Sequence, residues 1–141
     1  MIERVLDLHA LRVGQVMVPL GKAVTVTTRT PVADALAVCR ESGTSRLPVW
    51  HEQGGARRIV GLFNLRTLLY QTTGAPDPAK TVSEHVQPAT FVDVDTRLDE
   101  ALRHLQRTGQ RLAIVLSRDR HELGIVSLQD ILKAIFGQVR L

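Results

Sequence analysis

Apolar positions recur along this chain in two kinds of run. Val32, Ala35, Leu36 and Cys39 follow the i, i+3, i+4, i+7 spacing of one helical face, and so do Leu98, Ala101, Leu102 and Leu105. Other runs are short and continuous: 47–50, 59–63, 112–116 and 123–126. They are too short for helices, and turn-forming or charged residues bound them, so they predict buried strands. Shorter strands are expected at Val24–Val26 and Phe91–Val94. Thr30 is placed to cap the first helix with Pro31 at its first position, and Gly43 and Gly109 are placed as C-terminal stops. Gly- or charge-rich turns are expected at 51–58 and 117–122, and second helices over 65–70 and 128–136.

These elements occur twice in the same order. Leu36 falls on Leu102, Gly43 on Gly109 and Val49 on Val115, each pair 66 positions apart. Gly61 falls on Gly124, Leu65 on Leu128 and Leu69 on Leu132, now 63 apart, as a longer first turn, "HEQGGARR", would require. Each half is a β-α-β-β-α unit, and continuous apolar strands imply sheets covered by helices. The fold class is therefore α/β (α+β): two pseudo-symmetric repeats packed through their sheets, because a unit of this size buries little surface alone. The boundaries expected are a lead-in helix over 1–12, a first repeat over 13–70, a linker over 71–80, a second repeat over 81–137 and a tail over 138–141. "QTTGAPDPAK", with two prolines and a glycine, marks the linker.

Aromatics are only 4% of the 141 residues, so the core must be aliphatic. The single cysteine, Cys39, excludes an intramolecular disulfide and lies on the apolar face of the first helix, as a buried thiol would. No apolar run approaches the roughly 18 residues of a membrane span, and the acidic N-terminus is not a signal peptide. The formal net charge is +4, but the arginines are spread along the chain without interleaved aromatics, which argues against nucleic-acid binding. The five histidines, His9, His51, His85, His104 and His121, have no metal-ligand spacing backed by Cys or acidic neighbours. No Gly-x-Ser-x-Gly or P-loop lysine is present, and nothing supplies an activated nucleophile or general base, so no enzyme is expected.

The chemically informative stretch is "GIVSLQD", 124–130. Ser-x-x-Asp before an apolar helix resembles a capping box, with Ser127 on a backbone N–H and Asp130 at the positive helix end. The same geometry suits a ligand. A helix N-terminus attracts phosphate, and a carboxylate one turn on can accept both hydroxyls of a ribose. The two roles are compatible.

"VMVP" before the first strand, "GTSRLPVW" at the helix-to-strand turn, and the paired stretches "GLFNLRTLL" and "GIVSLQDIL" together resemble a tandem pair of cystathionine-β-synthase (CBS) domains, a Bateman module. The resemblance covers nearly all of 13–136. It is closer still to the CBS pair of the CorC/HlyC (hemolysin-like) magnesium and cobalt efflux family, related to the cyclin M transporters. It implies a cytosolic module of an inner-membrane transporter that follows a transmembrane region, forms a homodimer and binds an adenine nucleotide (ATP, ADP or AMP), sometimes with Mg²⁺. Carried over residue by residue, it implies Asp130 on ribose beside Ser127, and Pro19, Leu20, Val24 and Ile125 around adenine. Ser45, Arg46 and Arg111 would point toward ribose or phosphate. Thr67 stands where the first half would need an aspartate, and a hydroxyl cannot offer two acceptor oxygens to a diol, so one site is expected rather than two. Leu20, where arginine is common, and the non-acidic end "GQVRL" also depart from the family pattern. A structural dimerisation module with a vestigial pocket is the alternative.

Overall fold

A computed structural model of the chain describes residues 11–71, 77 and 79–138. The lead-in helix expected over 1–12 and the tail over 138–141 lie largely outside the described residues, as does most of the 71–80 linker. The fold is mixed α/β, with two four-stranded sheets in two compact units.

One unit comprises Val24–Ala89. Strand β2 (Val26–Thr27) leads into helix α2 (Val32–Ser42), then β3 (Arg46–Gln53), β4 (Ala56–Asn64) and α3 (Leu65–Gln71). With β5 (Val86–Gln87) at its edge, the sheet order is β2-β3-β4-β5, with β2 parallel to β3 and the other pairs antiparallel. The other unit comprises Met1–Ala23 and Thr90–Leu141. There β6 (Thr90–Asp93), α4 (Leu98–Thr108), β7 (Leu112–Leu116), β8 (Glu122–Ser127) and α5 (Leu128–Gln138) repeat the same path. Both hairpins carry a register shift at the same repeat position, Val49/Trp50 and Val115/Leu116.

The fourth strand of each sheet comes from the lead-in of the other repeat. Helix α1 (Val13–Val16) and strand β1 (Val18–Pro19) pack into the unit of the second repeat, giving the order β1-β8-β7-β6. The 3-10 turn Val82–His85 and strand β5 (Val86–Gln87) pack into the unit of the first. The exchanged segments match bond for bond. Val13 N–H donates to Thr96 O at 2.9 Å, and Val82 N–H donates to Thr30 O at 2.8 Å. Leu98 N–H donates to Leu11 O at 3.0 Å, and Val32 N–H donates to Lys80 O at 2.7 Å. Val13 and Val82 are both fully buried. The repeats of the sequence and the compact units of the structure are thus cut at different places.

A glycine makes each exchange possible. A Cβ on Gly124 would meet Val18 O at 2.5 Å and Met17 Sδ at 2.9 Å. A Cβ on Gly61 would overlap Gln87 O and Val86 Cγ1. These two positions lack side chains because another backbone lies directly on them.

Each unit has its own aliphatic core. Val32, Ala35 and Cys39 of α2 pack with Leu47, Val49, Phe63 and Leu68, and Leu98, Ala101 and Leu105 of α4 pack with Ala113, Val115, Val126 and Ile131. Gly43 (φ 73°) and Gly109 (φ 70°) end the two helices in the left-handed conformation, as expected. Trp50 is buried, with the Arg57 guanidinium 4.0 Å above its ring.

Two local expectations are corrected. Thr30 does not cap α2: its hydroxyl accepts the Thr27 N–H at 3.0 Å, and the extended Pro31 takes the cap position instead. The stretch 51–58 is not a long turn. His51–Gln53 and Ala56–Arg58 continue the strands, and only Gly54 and Gly55, both with positive φ, turn the chain. Two consecutive glycines fit the tight hairpin whose twist matches its strands, so the first repeat differs by strand length.

Candidate functional site

The C-terminal end of β8 and the start of α5 form a small polar corner. Asp130 N–H donates to Ser127 Oγ at 3.0 Å, and Ser127 N–H donates to Asp130 Oδ2 at 3.4 Å. This is the reciprocal capping box expected from the sequence. Leu128 N–H, another donor of the first turn, is satisfied by the Arg111 carbonyl at 2.9 Å. That bond seats Arg111, at the entry to β7, beside the helix start with its side chain exposed. Among the described residues Asp130 Oδ1 has no hydrogen-bond partner.

β1 supplies an apolar border. Val18 lies opposite Ile125 and Pro19 opposite Gly124, and the 3-10 turn that begins at Leu20 packs on β8. Pro19 is exposed; Leu20, Ile125, Ser127 and Asp130 are half-buried. Pro19, Leu20, Arg111, Ile125, Ser127 and Asp130 therefore share one unit and gather around the β8–α5 junction.

Val24, Ser45 and Arg46 belong to the other unit. Val24 is exposed ahead of β2, while Ser45 and Arg46 are half-buried at the entry to β3. The Ser45 carbonyl accepts the Leu65 N–H at 2.8 Å, matching Arg111 and Leu128 in the other repeat.

The repeat partner of Ser127 is Asn64, a capping position the sequence reading passed over. Its Oδ1 accepts the Arg66 N–H at 3.0 Å and the Thr67 N–H at 3.3 Å, so Asn64 alone caps α3. The signal was present: Asn64 follows Gly61 by the spacing that separates Ser127 from Gly124, and asparagine is a strong N-cap. Thr67 occupies the place of Asp130 and brings a hydroxyl instead of a carboxylate.

Two α/β units of identical topology, each with a glycine-backed exchanged strand and a capped second helix, define a tandem domain pair. The family model for the CBS domain matches residues 13–72 and 82–137, and the chain belongs to that family. It is 29% identical to the magnesium and cobalt efflux protein CorC of Vibrio cholerae over 99% of this chain and 47% of that protein. It is 31% identical to a UPF0053 protein of Mycobacterium bovis, Mb2387c, over 99% of this chain and 32% of that one. The chain thus spans about a third to about half of these relatives. Among solved structures, it resembles the CBS domain of the bacterial CNNM/CorC family Mg²⁺ transporter in complex with ATP. The TM-score is 0.84 at 29% identity, covering 98% of this chain and 96% of that one. Among the described residues no helix is long and apolar enough to cross a membrane.

Proposed function

We propose that this CBS pair is a regulatory module that binds an adenine nucleotide, forms a homodimer and controls a CorC-type divalent-cation transporter from its cytoplasmic face. It is a binding module rather than an enzyme. The observation that carries the reading is the Ser127–Asp130 corner, set beside the apolar border of Pro19, Leu20 and Ile125. Asp130 Oδ1 accepts a ribose hydroxyl while Oδ2 keeps the cap. Ile125, Pro19 and Leu20 flank the adenine. Arg111, exposed beside the helix start, meets the phosphates, with or without Mg²⁺. The likeness to a CBS domain solved with ATP supports the same ligand class here.

The control follows from differential affinity: the nucleotide shifts only an equilibrium between arrangements that it binds unequally. A specific observation favours a second reading, a dimerisation module with a vestigial pocket. Asp130 is already used in its own helix cap, and Thr67 has lost the equivalent carboxylate.

Thermal unfolding with AMP, ADP, ATP and Mg–ATP, on the parent chain and on Asp130→Ala, separates the two. A ligand at about a hundred times its dissociation constant adds roughly 2.7 kcal/mol of stability. A midpoint rise in the parent that the variant loses supports the sensor. No rise with any nucleotide leaves the dimerisation reading.

A further inference from the structure

A groove of about 380 Å³ lies in the unit of the second repeat and shares no residue with the Ser127–Asp130 corner. Three consecutive residues of β6, Phe91, Val92 and Asp93, line it. Successive side chains of a strand point to opposite faces. A groove that touches all three therefore runs along the strand's edge, not over one face. β6 is the last strand of its sheet, and among the described residues no strand pairs with its outer side.

The two sides of this edge differ. Val92 packs inward with Leu98, Ala101 and Leu105, so α4 stands on the Val92 side and lends the groove Glu100, Arg103, His104 and Arg107. Phe91, 39% exposed, and Asp93 point to the other side. The groove's carboxylates are matched within the protein: Asp93 lies 3.6 Å from Arg120, and Glu100 lies 2.8 Å from Arg97. Arg103 holds Asp99 at 3.5 Å through a side chain that is 60% exposed. Arg107 touches His104 Nδ1 at 3.4 Å and has no carboxylate partner among the described residues.

Arg103 and Arg107 are four residues apart on one helix, about 6 Å along its axis. Alternate residues of an extended chain are about 6.6 Å apart and face the same way. We propose that the groove takes an extended acidic segment of a partner protein, added to the open edge of β6 as a further strand. Carboxylates at alternate positions meet Arg103 and Arg107, and the apolar residue between them lies on Phe91. Main-chain hydrogen bonds to the edge supply affinity, and the alternation supplies specificity. A phosphodiester strand matches the charge but makes no use of a strand edge that no neighbouring strand covers among the described residues. A second copy of the chain would bring the same cations against each other.

The test is fluorescence anisotropy of a labelled peptide of about ten alternating glutamates and valines with the 141-residue chain. Saturable binding is expected, weakening as salt is raised. The double variant Arg103→Glu, Arg107→Glu is expected to weaken it at least tenfold. Proline at alternate peptide positions, which removes the N–H donors facing β6, is expected to do the same. Arg120→Gly provides a variant that suits the local backbone, because Arg120 has φ 66°, a conformation glycine adopts freely. It leaves the Asp93 carboxylate uncompensated in the groove and should therefore bind the acidic peptide severalfold less well. Its unfolding midpoint should stay close to the parent's, because the exposed ion pair contributes little. No saturable binding by about 1 mM peptide overturns the proposal. So does a proline peptide that binds as tightly as the parent, or a thymidine decanucleotide that does. A double variant that alters self-association while leaving peptide binding unchanged assigns the groove to a second copy and overturns it too.

Discussion

Ser127 and Asp130 hold each other across the first turn of α5, each accepting the other's backbone N–H, at 3.0 and 3.4 Å. The pair is a helix cap whatever else it does, so its structural and binding roles separate by substitution. Ser127→Ala removes the shorter bond and is expected to cost about 1 kcal/mol, read as a lower thermal or urea midpoint. Asp130→Asn keeps an oxygen for the Ser127 N–H and should cost less than that. It removes the charge that the proposed ribose contact uses, and hydrogen bonds to a charged group are worth about 1.5–3 kcal/mol. Isothermal titration should therefore show nucleotide affinity at least tenfold lower. Equal affinity in Asp130→Asn and the parent would sink the ribose assignment.

Gly124 carries the exchanged strand. Val18 O lies only 2.5 Å from where an alanine Cβ would sit, so Gly124→Ala must push β1 off β8. A cost of about 1–3 kcal/mol is expected, as for other overpacked sites. Gly21→Ala is the control: nothing lies within 4 Å of its Cβ position, and stability should change little. Equal midpoints for the two variants would contradict the close approach.

The first repeat offers the converse experiment. Asn64→Ala strips α3 of its cap and is expected to cost about 1 kcal/mol, whereas Asn64→Ser should be nearly neutral. Thr67→Asp places a carboxylate in the first turn of α3, where the helix end favours it by about 0.3–1 kcal/mol. If Asp130 is the ribose ligand, this change should also raise nucleotide stoichiometry from one per chain toward two. Unchanged stoichiometry would show that a carboxylate alone does not make the site.

Cys39 is 4% exposed, and burial pushes its thiol up from the ordinary value of 9.0. A raised folded value favours the neutral thiol, so its contribution to stability is full below the unfolded value and is lost as pH rises through the folded one. Unfolding midpoints should fall as pH climbs past about 9. In Cys39→Ala, which also leaves a cavity and lowers stability throughout, that part of the fall should vanish. Alkylation of the native thiol at neutral pH should be slow and should speed up in urea. Rapid native alkylation would show that the thiol is open to solvent.

Local and periodic features were readable from the residues alone. Helical spacing placed the buried faces of α2 and α4, because a side chain's direction in a helix depends only on its number along the chain. The continuous run Leu112–Leu116 coincides with β7 end to end. Gly43 and Gly109 stop their helices because the left-handed cap is a property of one residue. The capping box at Ser127 and Asp130 lies within four residues, so its partners were legible together. The structure of 51–58 was also legible, through its Gly-Gly pair, but the charged flanks masked the strand.

Where the lead-in segments go was settled by the tertiary fold. Val18–Pro19 and Val86–Gln87 are two-residue strands, too short for any alternation to show. Their partners, Gly124–Ile125 and Leu62–Phe63, are chosen by register across the fold. The glycines that admit them look in sequence like any break in a strand. Thr30 shows the same limit on a smaller scale. Its hydroxyl took the Thr27 N–H, and its own carbonyl was committed to Val82, so the turn took the side chain and Pro31 took the cap. Local bonds are fixed by neighbours along the chain; the exchanged strands depend on which distant backbone can approach without a side chain in the way.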